Sequence, residues 1–228
     1  MITRTQQQLI DRQIQDWLSR NRKKTEVKQK VHPVITISRE WGAQGSEIAS
    51  LIKEKLGERW QVWDKEIINA VAKKADVRSE MIKLVDEKSQ SKFELFFKSF
   101  FGKEIFSQSE YRRHVTAILL ALGHHGYTII LDRGSNFVLP YAFRVRVVAS
   151  RKYRILSLQE KDKVTEEEAL FLMRQSDHEK ANFVKQVFNE NLNDPWNYDL
   201  CIKTNYISEK TVAEIIVQGA KDKLGKLA

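Results

Sequence analysis

The sequence predicts an α/β fold, a mostly parallel sheet flanked by helices in three layers. Three observations carry this expectation. Short apolar runs rich in β-branched residues (Val34–Ser38, Trp60–Trp63, Tyr127–Leu131, Phe143–Ala149 and Tyr198–Thr204) alternate with segments of helical period. The first run feeds a loop carrying Gly42 and Gly45 into a helical stretch with Ile48, Ala49, Leu51, Ile52 and Leu56 on one side. The third, Tyr127-Thr128-Ile129-Ile130-Leu131, is nearly continuous in apolar character, as a strand covered on both faces is, and it ends at Asp132. With 228 residues, 42% hydrophobic and 30% charged, the chain can build one sizeable core, or one core with inserted subdomains.

The elements follow in order. Residues Gln6 to Arg20 read as an amphipathic helix with Leu9, Ile10, Ile14, Trp17 and Leu18 on one side. The basic run Arg20-Asn21-Arg22-Lys23-Lys24, then Lys28 and Lys30, makes residues 1–30 a basic helical extension, either a partner or nucleic-acid arm or a solvated helix docked on the core. A domain over residues 31–228 comes next. Strand Val34–Ser38 leads to a helix over Ser46–Leu56, with Ser46 placed as its N-cap. Strand Trp60–Trp63 ends at Asp64, an N-cap candidate for a helix containing Ile67, Ile68 and Val71. Between Asp76 and Gly126 there is no strand signal, so an all-helical insert of about 76–126 is expected. It holds the cluster Phe93, Phe96, Phe97, Phe100, Phe101 and a longer helix from Ser109 to Leu122. In the strand Phe143–Ala149, Arg144 and Arg146 alternate onto one face, expected to meet solvent or lie at an edge. A lid of about 151–190 opens with Arg151, Lys152 and Arg154, and Thr165-Glu166-Glu167-Glu168 starts its second helix with a capping box. The turn Asn193-Asp194-Pro195, strand Tyr198–Thr204 and a helix over Ser208–Lys223 close the chain.

A strand, a glycine loop and a helix N-terminus form a ready anion site, because free backbone N–H groups and the positive helix end point at one spot. Against the phosphate-loop pattern G-x-x-x-x-G-K-[ST], Gly42, Gly45 and Ser46 suit the part, but no lysine precedes Ser46, and Arg39 is the loop's cation. An ordinary glycine turn is the competing interpretation. Asp132 at the end of a buried strand suits Mg²⁺, directly or through water, and Arg133 suits a bidentate grip on phosphate. A structural Asp–Arg pair would look the same in sequence. Net charge of +9 suits nucleotides, nucleic acid or an anionic surface, and equally a merely basic soluble protein. The single cysteine, Cys201, allows no intrachain disulfide and fits a reducing compartment. No apolar run is long enough to span a bilayer and the first residues lack a signal-peptide core, so a cytoplasmic protein without a membrane partner is expected.

Four blocks of the chain resemble the cytidylate kinase-like family of P-loop kinases: Ile37-Ser38-Arg39-Glu40-Trp41-Gly42 through Ile48-Ala49, then Leu56-Gly57 and Trp63-Asp64-Lys65-Glu66-Ile67-Ile68, Ile129-Ile130-Leu131-Asp132-Arg133-Gly134-Ser135-Asn136-Phe137, and Asp194-Pro195-Trp196-Asn197-Tyr198-Asp199-Leu200-Cys201-Ile202-Lys203-Thr204. Together they run from about Val34 to Thr204 in the family's order. The resemblance implies a P-loop kinase fold with a helical acceptor-binding insert and a lid. It further implies ATP and Mg²⁺ as cofactors and a nucleotide substrate, with CMP or dCMP the family's suggestion. By the same resemblance, Ser38, Arg39, Gly42, Ala43, Gln44, Gly45 and Ser46 would hold the donor phosphates. Arg151 and Arg154 would do so from the lid, and Ser46 and Asp132 would hold the metal. Asp64, Arg133 and Asp177 would face the acceptor. Arg39, Arg133, Arg174 and Lys180 would stabilise charge during transfer, Lys180 standing where the family has arginine and Arg39 substituting for the absent lysine. The family usually carries glycine where Asp132 stands and prefers glycine at Gln44.

An ATP-dependent transfer of phosphate to a nucleoside monophosphate or related small acceptor is therefore the leading expectation. A degenerate nucleotide-binding module used for regulation or association is the alternative, supported by the missing lysine. A nucleic-acid binder, supported by charge alone, is the third. Whether the chain forms a homo-oligomer is not encoded in any pattern here.

Overall fold

The computed structural model describes residues 4–22, 32–73 and 110–225. The phenylalanine cluster, the short helices expected near Met81–Val85, and most of the basic stretch up to Lys30 lie outside them. The described chain falls into two compact units. One holds α1 (Arg4–Arg22), α3 (Lys65–Lys73) and α4 (Glu110–His125). The other holds β1 (Val34–Arg39), α2 (Gly45–Leu56), β2 (Gln61–Trp63), β3 (Thr128–Leu131), α5 (Ser135–Val138), β4 (Phe143–Val148), α6 (Arg151–Asp162), α7 (Glu166–Phe188), β5 (Leu200–Lys203) and α8 (Glu209–Leu224).

In the helical unit, α1 is longer than the expected Gln6–Arg20, and its apolar stripe is partly as read. Ile10, Ile14 and Leu18 are buried while Leu9 is exposed. The helix packs on α3, and α3 packs on α4, whose Val115, Ile118, Leu119 and Leu122 are buried.

In the sheet unit the strands lie in the order β2-β3-β1-β4-β5, every pairing parallel. Parallel strands need crossover connections, and here helices supply them. Register gives the two faces different chemistry. Ile35, Ile37, Ile129, Leu131, Val145, Val147 and Ile202 share the apolar face, which packs on Ile48 and Ile52 of α2 and Val212, Ile216 and Val217 of α8. The opposite face mixes Thr36, Ser38, Gln61, Thr128, Arg144 and Arg146 with the buried Val34, Trp63 and Ile130. β1 and β4 are neighbours whose continuations leave in opposite directions, towards β2 and towards β5. In an open α/β sheet the ligand crevice lies outside the carboxyl ends at such a point.

Two local expectations need correction. Ser46 is not the N-cap of α2: the helix starts one residue earlier, and Gln44 caps it at φ 60° with no side-chain hydrogen bond. Arg146 is neither solvent-facing nor on an edge strand. It is 6% exposed on an interior strand, while Arg144 on the same face is half-buried. Alternation fixes which residues share a face but not whether that face is covered. Other starts fall as read: Thr165 and Glu168 form the full capping box of α7, and Ser208 caps α8.

Candidate active site

The carboxyl end of β1 delivers Arg39 into the crevice, and Gly45 makes room for it. A Cβ on Gly45 would stand 2.3 Å from Arg39 Cδ and 2.9 Å from its Cβ, so the arginine stem occupies the volume that any side chain at this first position of α2 would need. The Arg39 guanidinium reaches Asp132 at the end of β3, with Nη1 donating to Oδ2 at 2.7 Å, and the Arg39 backbone N–H donates to Oδ1 at 3.0 Å. Both side chains are about nine-tenths buried, 10% and 9% exposed.

From α7, far along the chain, Lys180 enters the same spot. Its Nζ donates to the Arg39 carbonyl at 2.8 Å and lies 3.4 Å from Asp132 Oδ2. Burial pushes the Asp132 carboxyl up, but Arg39, Lys180 and the Arg39 N–H more than offset this and hold it below the usual carboxylate range. Burial, with Arg39 adding to it and Asp132 opposing, holds the Lys180 ammonium below the usual lysine range.

Asp132 and Arg133 both have left-handed backbones, at φ 61° and 59°. A residue with a Cβ is strained there by about 1–2 kcal/mol, aspartate tolerating the conformation better than most. The conformation turns the carboxylate back towards the β1 end.

A second cluster holds the loop itself. Arg154 of α6 donates from Nε to the Trp41 carbonyl at 2.6 Å, pairs through Nη2 with Asp177 and lies 3.6 Å from Glu40 Oε2. Asp177 also accepts from the Trp41 N–H at 3.2 Å, and Glu40 accepts from the Ala149 N–H at 3.0 Å. Gly42, at φ +84°, lets Arg154 lie against the backbone, since a Cβ there would be 2.9 Å from the Arg154 carbonyl oxygen. Trp41 packs on Ile155, Leu158, Ala169 and Met173 of α6 and α7. The loop is thus fastened to both helices by one aromatic side chain and one buried arginine.

Arg39, Asp132, Asp177, Lys180 and Arg154 are therefore brought together with Gly42 and Gly45. Ala43 is buried, Gln44 donates from Nε2 to the Tyr153 hydroxyl at 3.0 Å, and Ser46 sits in the first turn of α2. Ser38 bonds the buried Arg146 rather than the Arg39 cluster. Arg133 lies 5.7 Å from the Phe183 ring, and Asp64 follows β2 at the carboxyl edge of the sheet. Arg151 and Arg174 are exposed and make none of these contacts.

Glu40, Trp41 and Arg146 were not among the expected site residues. Glu40 and Trp41 stand beside Arg39 and could have been suspected from that adjacency. The only signal for Arg146 was its strand position two residues before an element end. Among the described residues no group of three or more His, Cys, Asp or Glu is arranged to hold a metal, and no helix is long and apolar enough to cross a membrane.

Residues 34–206 match the cytidylate kinase-like family. No curated protein is similar to the chain at a significant level. Among solved structures, an uncharacterized protein from Eubacterium ventriosum aligns with a TM-score of 0.59 at 18% identity, covering 83% of this chain and 99% of its own. The shikimate kinase from Acinetobacter baumannii aligns at 0.45 and 14% identity, covering 86% and 96%. TT1252 from Thermus thermophilus aligns at 0.42 and 13%, covering 84% and 98%. With a parallel five-stranded α/β sheet and a family match across three quarters of its length, the chain belongs to the cytidylate kinase-like family.

Proposed function

We propose that the chain is an ATP-dependent phosphotransferase acting on a nucleoside monophosphate, CMP or dCMP by family, or on a related small acceptor. One observation carries the reading: Arg39 and Lys180 share a single buried carboxylate, Asp132, beside the N-terminus of a helix that no side chain caps. A buried excess of positive charge is costly unless an anion balances it, and phosphate at a helix N-terminus does so. The loop lacks the usual lysine, but Gly45 holds Arg39 in its place and Lys180 arrives from α7.

ATP fits this chemistry, since its phosphates would meet the first N–H groups of α2 with Arg39 and Lys180 on either hand. Mg²⁺ would rest mainly on the nucleotide's own phosphates, the chain offering the Ser46 hydroxyl and the Asp132 carboxylate, the latter already bonded to Arg39 and Lys180. When bound, it neutralises phosphate charge. Phosphoryl transfer relies on positioning and charge neutralisation, so the chain's work is to fix the donor in the loop and bring cations to the transferred group. Asp177 and Arg154 lock the loop to α6 and α7, so that Lys180 is presented at a fixed place. Arg133 and Asp64 line the carboxyl edge on the acceptor's side of this scheme, and Arg174 and Arg151 are exposed cations of α7 and α6. A cytoplasmic setting suits the substrate.

The test is γ-phosphate transfer from labelled ATP with Mg²⁺ to a panel of nucleoside monophosphates, using wild type, Arg39→Ala and Arg133→Ala. Labelling of CMP or dCMP that falls at least about a hundredfold in Arg39→Ala supports the reading. ATP binding with no acceptor labelled favours the regulatory module instead, and no ATP binding removes both.

A further inference from the structure

Arg146 is a buried guanidinium without a carboxylate partner. It projects from β4 on the polar face of the sheet, in register with Ser38 of β1. At 6% exposure it donates from Nη1 to Ser38 Oγ at 2.9 Å and from Nη2 to Asn193 Oδ1 at 2.9 Å. Both acceptors are neutral, and most of its N–H donors have no protein acceptor. By contrast, the buried Arg154 has Asp177 and Glu40, and the half-buried Arg144 has Asp199. Asp132 is paired with Arg39 and Lys180 instead.

On the same face, two residues nearer the start of the adjacent β1, Thr36 Oγ1 is buried without a hydrogen-bond partner. The site is also reachable, because Asn193 is exposed. The segment that carries it is held in place by the Tyr198 hydroxyl donating to the Leu192 carbonyl at 2.8 Å and by the Asn193 N–H donating to Asn191 Oδ1 at 3.0 Å. An unpaired buried charge is expensive, and a planar guanidinium with free donors matches an oxyanion in a bidentate manner.

We propose that Arg146, with Ser38 and Asn193 beside it, binds an oxyanion of the phosphoryl acceptor and so sets acceptor specificity at the carboxyl ends of β1 and β4. The word acceptor rests on the phosphotransfer reading above, whereas the oxyanion site does not. A phosphate and a carboxylate offer the same chemistry, and the choice between them separates a nucleotide acceptor from a hydroxy acid.

The experiment is calorimetric titration of the full chain with two charged and neutral pairs, CMP against cytidine and gluconate against sorbitol, with ATP titrated separately. One charged probe should bind at least about tenfold more tightly than its neutral twin, CMP identifying phosphate and gluconate identifying carboxylate. Arg146→Gln should abolish that preference while ATP affinity stays within about twofold, and Arg146→Lys should restore part of it, since lysine keeps the charge without the fork. If neither charged probe is preferred by wild type, or if Arg146→Gln binds them as wild type does, the proposal is overturned. Should Arg146→Gln not fold, Asn193→Ala at the exposed partner decides: a weakened charged probe supports the site and an unchanged one overturns it. A charge preference lost in Arg146→Gln, in a protein that does not bind ATP, would leave the oxyanion site standing and remove the kinase reading.

Discussion

Gly45 is where a lysine-lacking phosphate loop becomes chemically sensible. Its missing side chain is the space that Arg39 fills on the way to Asp132. Gly45→Ala forces the arginine stem aside, and the expected result is a loss of ATP affinity comparable to that of Arg39→Ala, with the fold retained by circular dichroism. Asp132 has a separate role. Replacing it with asparagine strands two buried cations, and breaking such a group costs about 3–5 kcal/mol. Thermal or denaturant unfolding of Asp132→Asn should register that loss. The sign with pH follows from the depressed carboxyl. Its contribution is present above the unfolded value of 3.8 and disappears as pH falls through the lower folded value, so the variant and wild type should converge in stability only in strong acid.

Helix α7 places two functional side chains by period. Asp177 and Lys180 are three residues apart, which puts both on the side facing the loop, one gripping Trp41 and Arg154, the other reaching Arg39 and Asp132. The helix is 23 residues long and starts at a complete capping box. Thr165→Ala removes an N-cap acceptor and should lower the helix's local stability by about 1 kcal/mol, seen as faster hydrogen exchange in its first turns. Because Lys180 lies four turns further on and is anchored by its own contacts, ATP affinity should change little. The capping box, the helix and the Asp-x-x-Lys spacing could all be read from the chain. What Lys180 touches could not, since a contact over 141 residues of sequence leaves no local pattern.

The sheet unit as a whole separates two kinds of chemistry on two faces. One face packs α2 and α8 on apolar side chains, and the other sets threonines, Ser38, Gln61 and two arginines among Val34, Trp63 and Ile130. Period-two alternation in β4 revealed that Arg144 and Arg146 travel together, yet exposure depends on what lies over the face, and strand order places β4 in the interior. For this reason the strands, the glycine loop and the helices after them are readable, while the buried Arg146 is expected at solvent or at an edge. The same limit hid the clamp on Trp41. The crevice itself follows from topology, because β1 and β4 diverge where Arg39, Ser38 and Arg146 stand.

The measurement to make is titration calorimetry of ATP–Mg²⁺ into wild type and Arg39→Ala across the alkaline range, in two buffers of different ionisation enthalpy. Burial keeps the Lys180 ammonium below the usual lysine range in the free protein, and a bound phosphate would raise it, so binding should take up protons. The account predicts buffer-dependent heat in wild type and at least about a tenfold loss of affinity in Arg39→Ala. Tight binding of ATP with no proton uptake and no loss in Arg39→Ala would place the nucleotide away from Arg39 and Lys180 and contradict it.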